Sequence, residues 1–586
     1  MKRRWLSCCA GPFLALVVVA VSPPARAWRI ENGDHPIELD FTEDAETDYR
    51  FAHGNGIIAP SSDPNYDPTS DNYFDWINRF EIQVTTGPWH ADLRFDSALF
   101  ANTPQVANIS NAEGSRLSFL LQNRYVDNFQ LEKISASYLG QNLQATLGDF
   151  YLSYGRGLVL SLRKIDALGV DTTLRGATVT GHAGGFSANL SGGITNVVNT
   201  DPSLGAVAPD PEDPVLAARL EYRYRQLIAV GVDGAVIWQN PNTLAYTRFQ
   251  PGQVPQSVPI SPLGFGSVDV LPTGSLPNQP IAGRTENYSA TVEIPSLWGH
   301  GSAYAEFAHQ FQYNSNIEVQ GNSLYAGANG YFGDLTGQLE FKDYTRFNFP
   351  TFSSLSSTAF PAFYQQDVYT NPPNLEQIFQ EESLTTRIYG PRLRLDYQMG
   401  EHLKPYGSMA FFRDDDNGYD IYDASLGFEA TWQEHRSHLT LSGGYRREVY
   451  NDQYSDPGLI HATEFWFQGD VVQVLRRGYS LEFEGLHRTH RDYGFSTNYH
   501  LWHQGFDYLS LRRSRWSASV GAEYYTYSES IYQPWYLNAS GSYTLTQDLL
   551  LRGFLGGRAA GLKCINGVCR NFPGYNGATV EVVAKF

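Results

Sequence analysis

The last twelve residues, Tyr575-Asn-Gly-Ala-Thr-Val-Glu-Val-Val-Ala-Lys-Phe586, decide how the rest of the chain is read. Ala578, Val580, Val582, Ala584 and Phe586 share one face of a strand, and Thr579, Glu581, Val583 and Lys585 share the other. One face is apolar, the other is mostly polar, and an aromatic residue ends the chain. That is the form of a strand closing a barrel between lipid outside and water inside, with Tyr575, Val580, Val582 and Phe586 carrying the closing signal. Soluble sheets alternate too, so the other segments have to agree.

Export is written at the opposite end. Lys2, Arg3 and Arg4 precede a short apolar run, Phe13 to Val21, and Ala25-Arg26-Ala27 supplies a small-x-small cleavage pattern before Trp28. The run is too short for a helical span, and Cys8 and Cys9 lie ahead of it, misplaced for a lipoprotein. Residues 1–27 are expected to be a cleaved signal peptide and 28–586 a single barrel domain. Little chain is left before the first strand for a plug domain, which argues against an energy-coupled transporter of the plugged type. Cys564 and Cys569 then remain, close enough to staple one loop in an oxidising compartment. A two-cysteine metal site is the alternative, but no histidine lies nearby to complete it.

Composition agrees with pleated strands and aromatic belts: 11 Trp, 37 Tyr, 34 Phe and 54 Gly against three Met. No apolar run is long enough for a membrane helix. A formal net charge of −19 argues against nucleic-acid partners.

One unit repeats along the chain: strand, tight turn, strand, long polar loop. In Trp516 to Tyr524, Trp516, Ala518, Val520, Ala522 and Tyr524 oppose Ser517, Ser519, Gly521 and Glu523. Leu335 to Lys342 likewise gathers Gln338, Glu340 and Lys342 on one face. Short turns at Gly87-Pro88, Gln141-Asn142, Gly184-Gly185, Gly333-Asp334, 434–437, 475–478, 512–515 and 546–548 alternate with longer connections at 101–128, 195–214, 240–284, 348–384 and 562–574. Such sorting of loops is the asymmetry of membrane barrels. Hairpins fall near 76–100, 131–154, 173–194, 215–239, 285–313, 322–347, 385–413, 420–450, 461–491, 500–528 and 534–561, with single strands near 36–52 and 575–586. The expected fold is all-β, a single large antiparallel transmembrane β-barrel of about 24 strands (roughly 22–26) with short periplasmic turns and long outer loops. Leu117 to Arg124 is either loop or an extra strand piece.

The most distinctive segment is Leu147-Gly-Asp-Phe-Tyr-Leu-Ser-Tyr-Gly-Arg-Gly-Leu-Val-Leu-Ser-Leu-Arg163, followed by Leu168-Gly-Val-Asp-Thr-Thr-Leu-Arg-Gly176. Its apolar alternation changes phase after Gly148, which predicts a bulge at Gly148-Asp149 that keeps Asp149 and Tyr151 on the lumen side. Gly155-Arg-Gly157 permits a bend or a fold into the lumen. The GDFY, GRGL and LG-x-D…LRG pattern resembles an uncharacterised family of bacterial outer-membrane barrel proteins, known only as a domain of unknown function. The resemblance rests on Leu147 to Gly176 and implies an outer-membrane barrel without substrate or catalytic residues.

Asp149, Tyr151, Arg156, Arg163, Asp171 and Arg175 are the candidate lumen or constriction residues. Charges facing one another across a bore would set ion preference. Alternatively they form an ion-pair network locking an inward segment onto the wall. The proline-rich 240–284 and the aromatic 348–384 are long enough to be functional, either as a constriction or as a partner surface. Asp414 to Asp420 lacks the spacing of a calcium loop and reads as a solvated acidic turn. His487 and His490 lie three apart, on opposite faces of a strand, which spoils chelation. No catalytic motif occurs.

The expectation is therefore a porin-like channel for small polar or charged solutes, integral to a bacterial outer membrane, with no enzymatic activity, cofactor or metal. Its expected partners are outer-membrane lipids, the barrel-assembly machinery, small solutes and surface or periplasmic proteins. A plugged surface barrel acting as scaffold or adhesin through its long loops is the alternative. A secreted carbohydrate binder with an aromatic groove is a third reading.

Overall fold

Alternating strands satisfy one another only when every backbone ladder has a neighbour, and here the ladder runs all the way round. The structure, a computed structural model, describes residues 28–51, 73–103, 125–165, 169–201, 206–207, 212–238, 256–259, 264–265, 267–270, 284–314, 317–347, 365–366, 387–415, 418–451, 457–493, 500–526, 535–559, 561–565, 568–572 and 575–586, apart from positions 32 and 34.

The first strands are β1 (Ile37–Arg50), β2 (Tyr73–Thr86), β3 (Trp89–Ala101), β4 (Asn128–Leu139), β5 (Leu143–Phe150), β6 (Val170–Ala183), β7 (Phe186–Val197) and β8 (Pro214–Tyr224). Then follow β9 (Ile228–Trp238), β10 (Arg284–Ile294), β11 (Gly301–Asn314), β12 (Ile317–Phe332), β13 (Leu335–Thr345), β14 (Arg387–Tyr397), β15 (Leu403–Asp414) and β16 (Tyr419–Trp432). The wall ends with β17 (Ser437–Tyr450), β18 (Ile460–Val474), β19 (Ser480–Asp492), β20 (His500–Arg513), β21 (Trp516–Tyr525), β22 (Trp535–Thr546), β23 (Leu549–Arg558) and β24 (Tyr575–Lys585). Each strand pairs antiparallel with the next, and β24 returns to β1, closing a barrel of 24 strands. Phe586 seals the seam: its N–H donates to the Phe41 carbonyl at 2.8 Å, and its carbonyl accepts from Phe41 N–H at 3.1 Å.

Tight turns gather at one end of the wall and long connections at the other. The alternation is not strict, however. On the long-loop end, only 315–316 separates β11 from β12, and only 415–418 separates β15 from β16. Two strands of the wall need no more than that to reverse direction. Leu117 to Arg124 and residues 1–27 lie outside the described residues.

The outward face is a band of exposed apolar side chains, including Leu190, Val232, Phe307, Leu339, Leu395, Leu426, Leu509, Leu555 and Val580. Aromatic rows border it: Trp89, Phe186, Phe332, Tyr397 and Tyr543 near the short turns, and Tyr49, Trp238, Tyr389, Phe465 and Trp535 toward the long loops. Inward positions are polar instead, among them Ser323, Glu340, Lys342, Arg392, Asp423, Arg446, Glu464 and Ser510. This inversion of a soluble core is what a lipid-facing barrel requires.

Two tests follow from this geometry. Val520→Arg, at mid-height on the outward face, is expected to cost about 2–4 kcal/mol in the urea unfolding of the bilayer-inserted barrel. Ser519→Lys, its inward neighbour, is expected to cost under about 1 kcal/mol. Cys564 and Cys569 are register partners across the short hairpin Gly561–Ile565/Val568–Phe572. Such partners have Cα atoms about 4.5–5.5 Å apart, within disulfide reach. Alkylation of the folded protein is expected to label both cysteines only after reduction.

Candidate functional site

The wall has one place where its chain departs. After Phe150, β5 ends, residues 151–165 run inward, and β6 rejoins the ladder at Val170. Leu152–Tyr154 pairs with Leu160–Leu162 as a small hairpin, and Lys164–Ile165 pairs with Val170 and Asp171. Alternating Leu158, Leu160 and Leu162 are fully buried.

The departure begins at Gly148. Its φ of +100° suits glycine, and a Cβ there would lie 2.0 Å from the Ile134 carbonyl oxygen. The expected bulge at Gly148-Asp149 is absent as an extra residue: Gly148, Asp149 and Phe150 stay in continuous register with Gly176, Arg175 and Leu174 of β6. Pairing with β4 instead stops at Gly148. The extra residue sits in β4, where Glu132 is unmatched between the Arg94–Lys133 and Phe95–Leu131 pairs.

Where the ladder stops, side chains replace it. The Asp149 carboxylate accepts from Ile134 N–H (2.8 Å), Asn196 Nδ2 (2.7 Å), Thr173 Oγ1 (3.2 Å) and Arg175 Nε (3.2 Å). Arg175 Nη2 and Asn196 Nδ2 also donate to the Glu132 carbonyl, at 2.6 and 2.8 Å. Farther along β4, Gly264 and Phe265 pair with Gln130 and Phe129. A second network lies beside the first. Asp171 accepts from Arg94 Nη1 (2.6 Å), from the Tyr151 hydroxyl (2.6 Å) and from Lys133. Arg94 also holds Asp96 through two hydrogen bonds, of 2.7 and 2.6 Å.

The hairpin is anchored again far along the wall. Tyr154 donates to Asn189 on β7. Arg156 N–H donates to Glu306 Oε2 on β11 at 2.8 Å, and the Arg156 guanidinium lies over the Tyr304 ring, 4.8 Å from its centroid. Asn287 Nδ2 on β10 donates to the Val159 carbonyl at 2.9 Å. Gly155, at φ +57°, leaves room for the Glu306 carboxylate, which a Cβ would meet at 2.5 Å. Leu158 joins a buried cluster with the inward-facing Ala308, Tyr325, Tyr344, Ile388, Phe412 and Ile421 from β11 to β16.

Of the six predicted residues, the structure joins Asp149 with Arg175, and Tyr151 with Asp171. Arg156 stands at the hairpin tip, and Arg163 donates to Ser161 at 2.8 Å on the returning limb. The charges at the root pair with one another along one side of the wall rather than facing across the bore. Sequence reasoning missed Arg94, Lys133, Asn196, Asn287 and Glu306. The adjacency of Glu132 and Lys133 breaks the alternation of β4 and was the one local signal available. Nothing in β10 or β11 marks Asn287 or Glu306 as hairpin anchors. Most of 240–284 and 348–384 lies outside the described residues.

Burial of the inward face changes along the strands. Toward the long loops, Arg446, Arg488, Glu464 and Asn538 are buried. Toward the short turns, Gln144, His182, Arg512 and Ser540 are exposed. Exposed inward positions thus gather toward the short turns, although Arg394, Tyr406 and Ser510 in that half are buried too.

No family model matches the chain, and no curated protein matches it. The GDFY…GRGL likeness therefore stands on its own residues. Among solved structures, the chain is similar to the siderophore receptor PirA from Pseudomonas aeruginosa, at 9% identity and a TM-score of 0.43, over 94% of this chain and 80% of that one. It is also similar to the P pilus usher PapC translocation pore (9% identity, TM-score 0.34, 94% and 99% coverage). The outer membrane protein opdK from Pseudomonas aeruginosa is similar at 10% identity and a TM-score of 0.34, over 71% of this chain and 94% of that one. Likenesses of this size say nothing of what the protein binds or moves.

Asp149→Ala strands four donors and leaves Arg175 without its carboxylate, and is expected to cost about 3–5 kcal/mol in urea unfolding. Limited proteolysis should then cut within 151–169 in the variant and spare the parent protein.

Proposed function

We propose that the protein is an outer-membrane channel for small polar or charged solutes, narrowed by the 151–169 hairpin. The observation that carries this reading is an inward hairpin tied to both β7 and β10–β11 inside a polar wall. At about 4.8 Å between strands, a tilted wall of this many strands encloses roughly 45–50 Å, far wider than a selective pore needs. A hairpin laid across part of that width leaves a smaller hydrated route whose polar groups select solutes. The outward aromatic rows and apolar band support membrane insertion, with short turns on the periplasmic side and long loops outside.

A second reading keeps the barrel closed, as a scaffold or adhesion protein presenting its long loops. Burial of Arg446 and Arg488 in the long-loop half favours it.

Single-channel recording in planar bilayers separates the two. The parent protein is expected to give small, steady openings, and a variant with 152–162 replaced by a short Gly-Ser linker openings about threefold larger or more. Silence from both folded proteins would sink the channel reading and leave the closed scaffold.

A further inference from the structure

Polar groups gather on the outward face of β19, β20 and β21, as they also do at the exposed His309–Asn322 pair of β11 and β12, within a band that is mostly apolar. His487, Asp507 and Tyr524 share that face with Phe483, Leu509 and Val520, all exposed. Nε2 of His487 lies 3.1 Å from Asp507 Oδ1, and its Nδ1 lies 2.7 Å from the Tyr524 hydroxyl. Both charged side chains remain accessible, His487 at 45% and Asp507 at 41%. One step nearer the long loops, Thr489 Oγ1 and His503 Nδ1 are 3.0 Å apart, and exposed Arg491 follows on β19.

Two glycines make room for this arrangement. A Cβ at Gly485 would meet Asp507 Oδ1 at 2.7 Å, and one at Gly505 would meet the Tyr524 hydroxyl at 2.7 Å. Along the register, His487 opposes exposed Phe467, and Asp507 opposes Ala522, which opposes exposed Leu537. The polar notch is therefore cut into the apolar band. Tyr524 stands about 20 Å from the short-turn aromatic row of a band about 25 Å tall. Its ring packs 5.1 Å from Trp535, in the row toward the long loops. That is head-group height, where polar groups meet acceptors, whereas in hydrocarbon each unsatisfied one is costly.

We propose that this notch binds the phosphate-bearing head group of a lipid in the leaflet on the long-loop side. Asp507 is taken up by His487, so it does not oppose an anion alone. Toward the long loops, the His503 imidazole through Nε2 (its Nδ1 faces Thr489 Oγ1) and the Arg491 guanidinium, which also hydrogen-bonds Tyr493, are stacked as donors for phosphate oxygens, while the Tyr524 hydroxyl is engaged by His487. Phe465 and Trp535 flank them for the acyl chains. The proposal rests on membrane insertion of the barrel and is independent of conduction.

Native mass spectrometry of the folded barrel, in micelles doped with dioleoyl phosphatidic acid or dioleoylglycerol, tests it. The parent protein should retain phosphatidic acid and not the phosphate-free lipid. The Arg491→Gln/His503→Gln variant should retain phosphatidic acid about tenfold more weakly or worse. His503→Gln alone serves as a second variant, and heat-modifiable gel migration verifies that both are folded. Equal retention by parent and folded variants, equal retention of dioleoylglycerol, or displacement by an equal concentration of inorganic phosphate would each overturn the proposal. So would a dimer that dissociates in the same variants, which would make the notch a contact between copies.

Discussion

Lipid offers no hydrogen bonds, so every backbone group of the wall has to find its partner inside the protein. The remaining structure follows from that constraint. Closure of β24 onto β1, finished by the reciprocal Phe41 and Phe586 bonds, removes the two edges an open sheet would expose. The outward apolar band and inward polar wall then follow from strand alternation, since each strand has one face in each medium.

The same constraint explains the root of the inward hairpin. Letting the chain leave the wall after Phe150 deprives the long-loop half of β4 of a neighbouring strand. The deficit is covered piece by piece: the Asp149 carboxylate for Ile134 N–H, Arg175 and Asn196 for the Glu132 carbonyl, and Gly264–Phe265 for the last rungs. These buried charges are thus first of all substitutes for missing backbone partners. In the proposed channel, their influence on solutes would act through the hairpin they hold in place.

Legibility in the sequence varied with how local each feature is. Period-two alternation and the sorting of short turns from long connections made the strand number and closure readable, because a strand's two faces are set by its own residues. The two short connections on the long-loop end escaped that reading, since a tight reversal is possible at either end of a strand. Gly148 and Asp149 were recognised as a disturbance, but its nature was misjudged. A phase change in apolar residues looks the same whether a residue is inserted or a strand simply loses one neighbour.

By itself, the sequence determined a closed, antiparallel barrel with an apolar exterior and a polar interior, and marked 147–176 as the segment that departs from the pattern. Tertiary structure alone decided that Asp149 meets Ile134, that Arg156 reaches Glu306, and that His487, Asp507 and Tyr524 converge on the outside. The physical reason is one of range. Which face a side chain takes depends on neighbours along the chain, whereas which partner it meets depends on the register and closure of strands far apart in sequence.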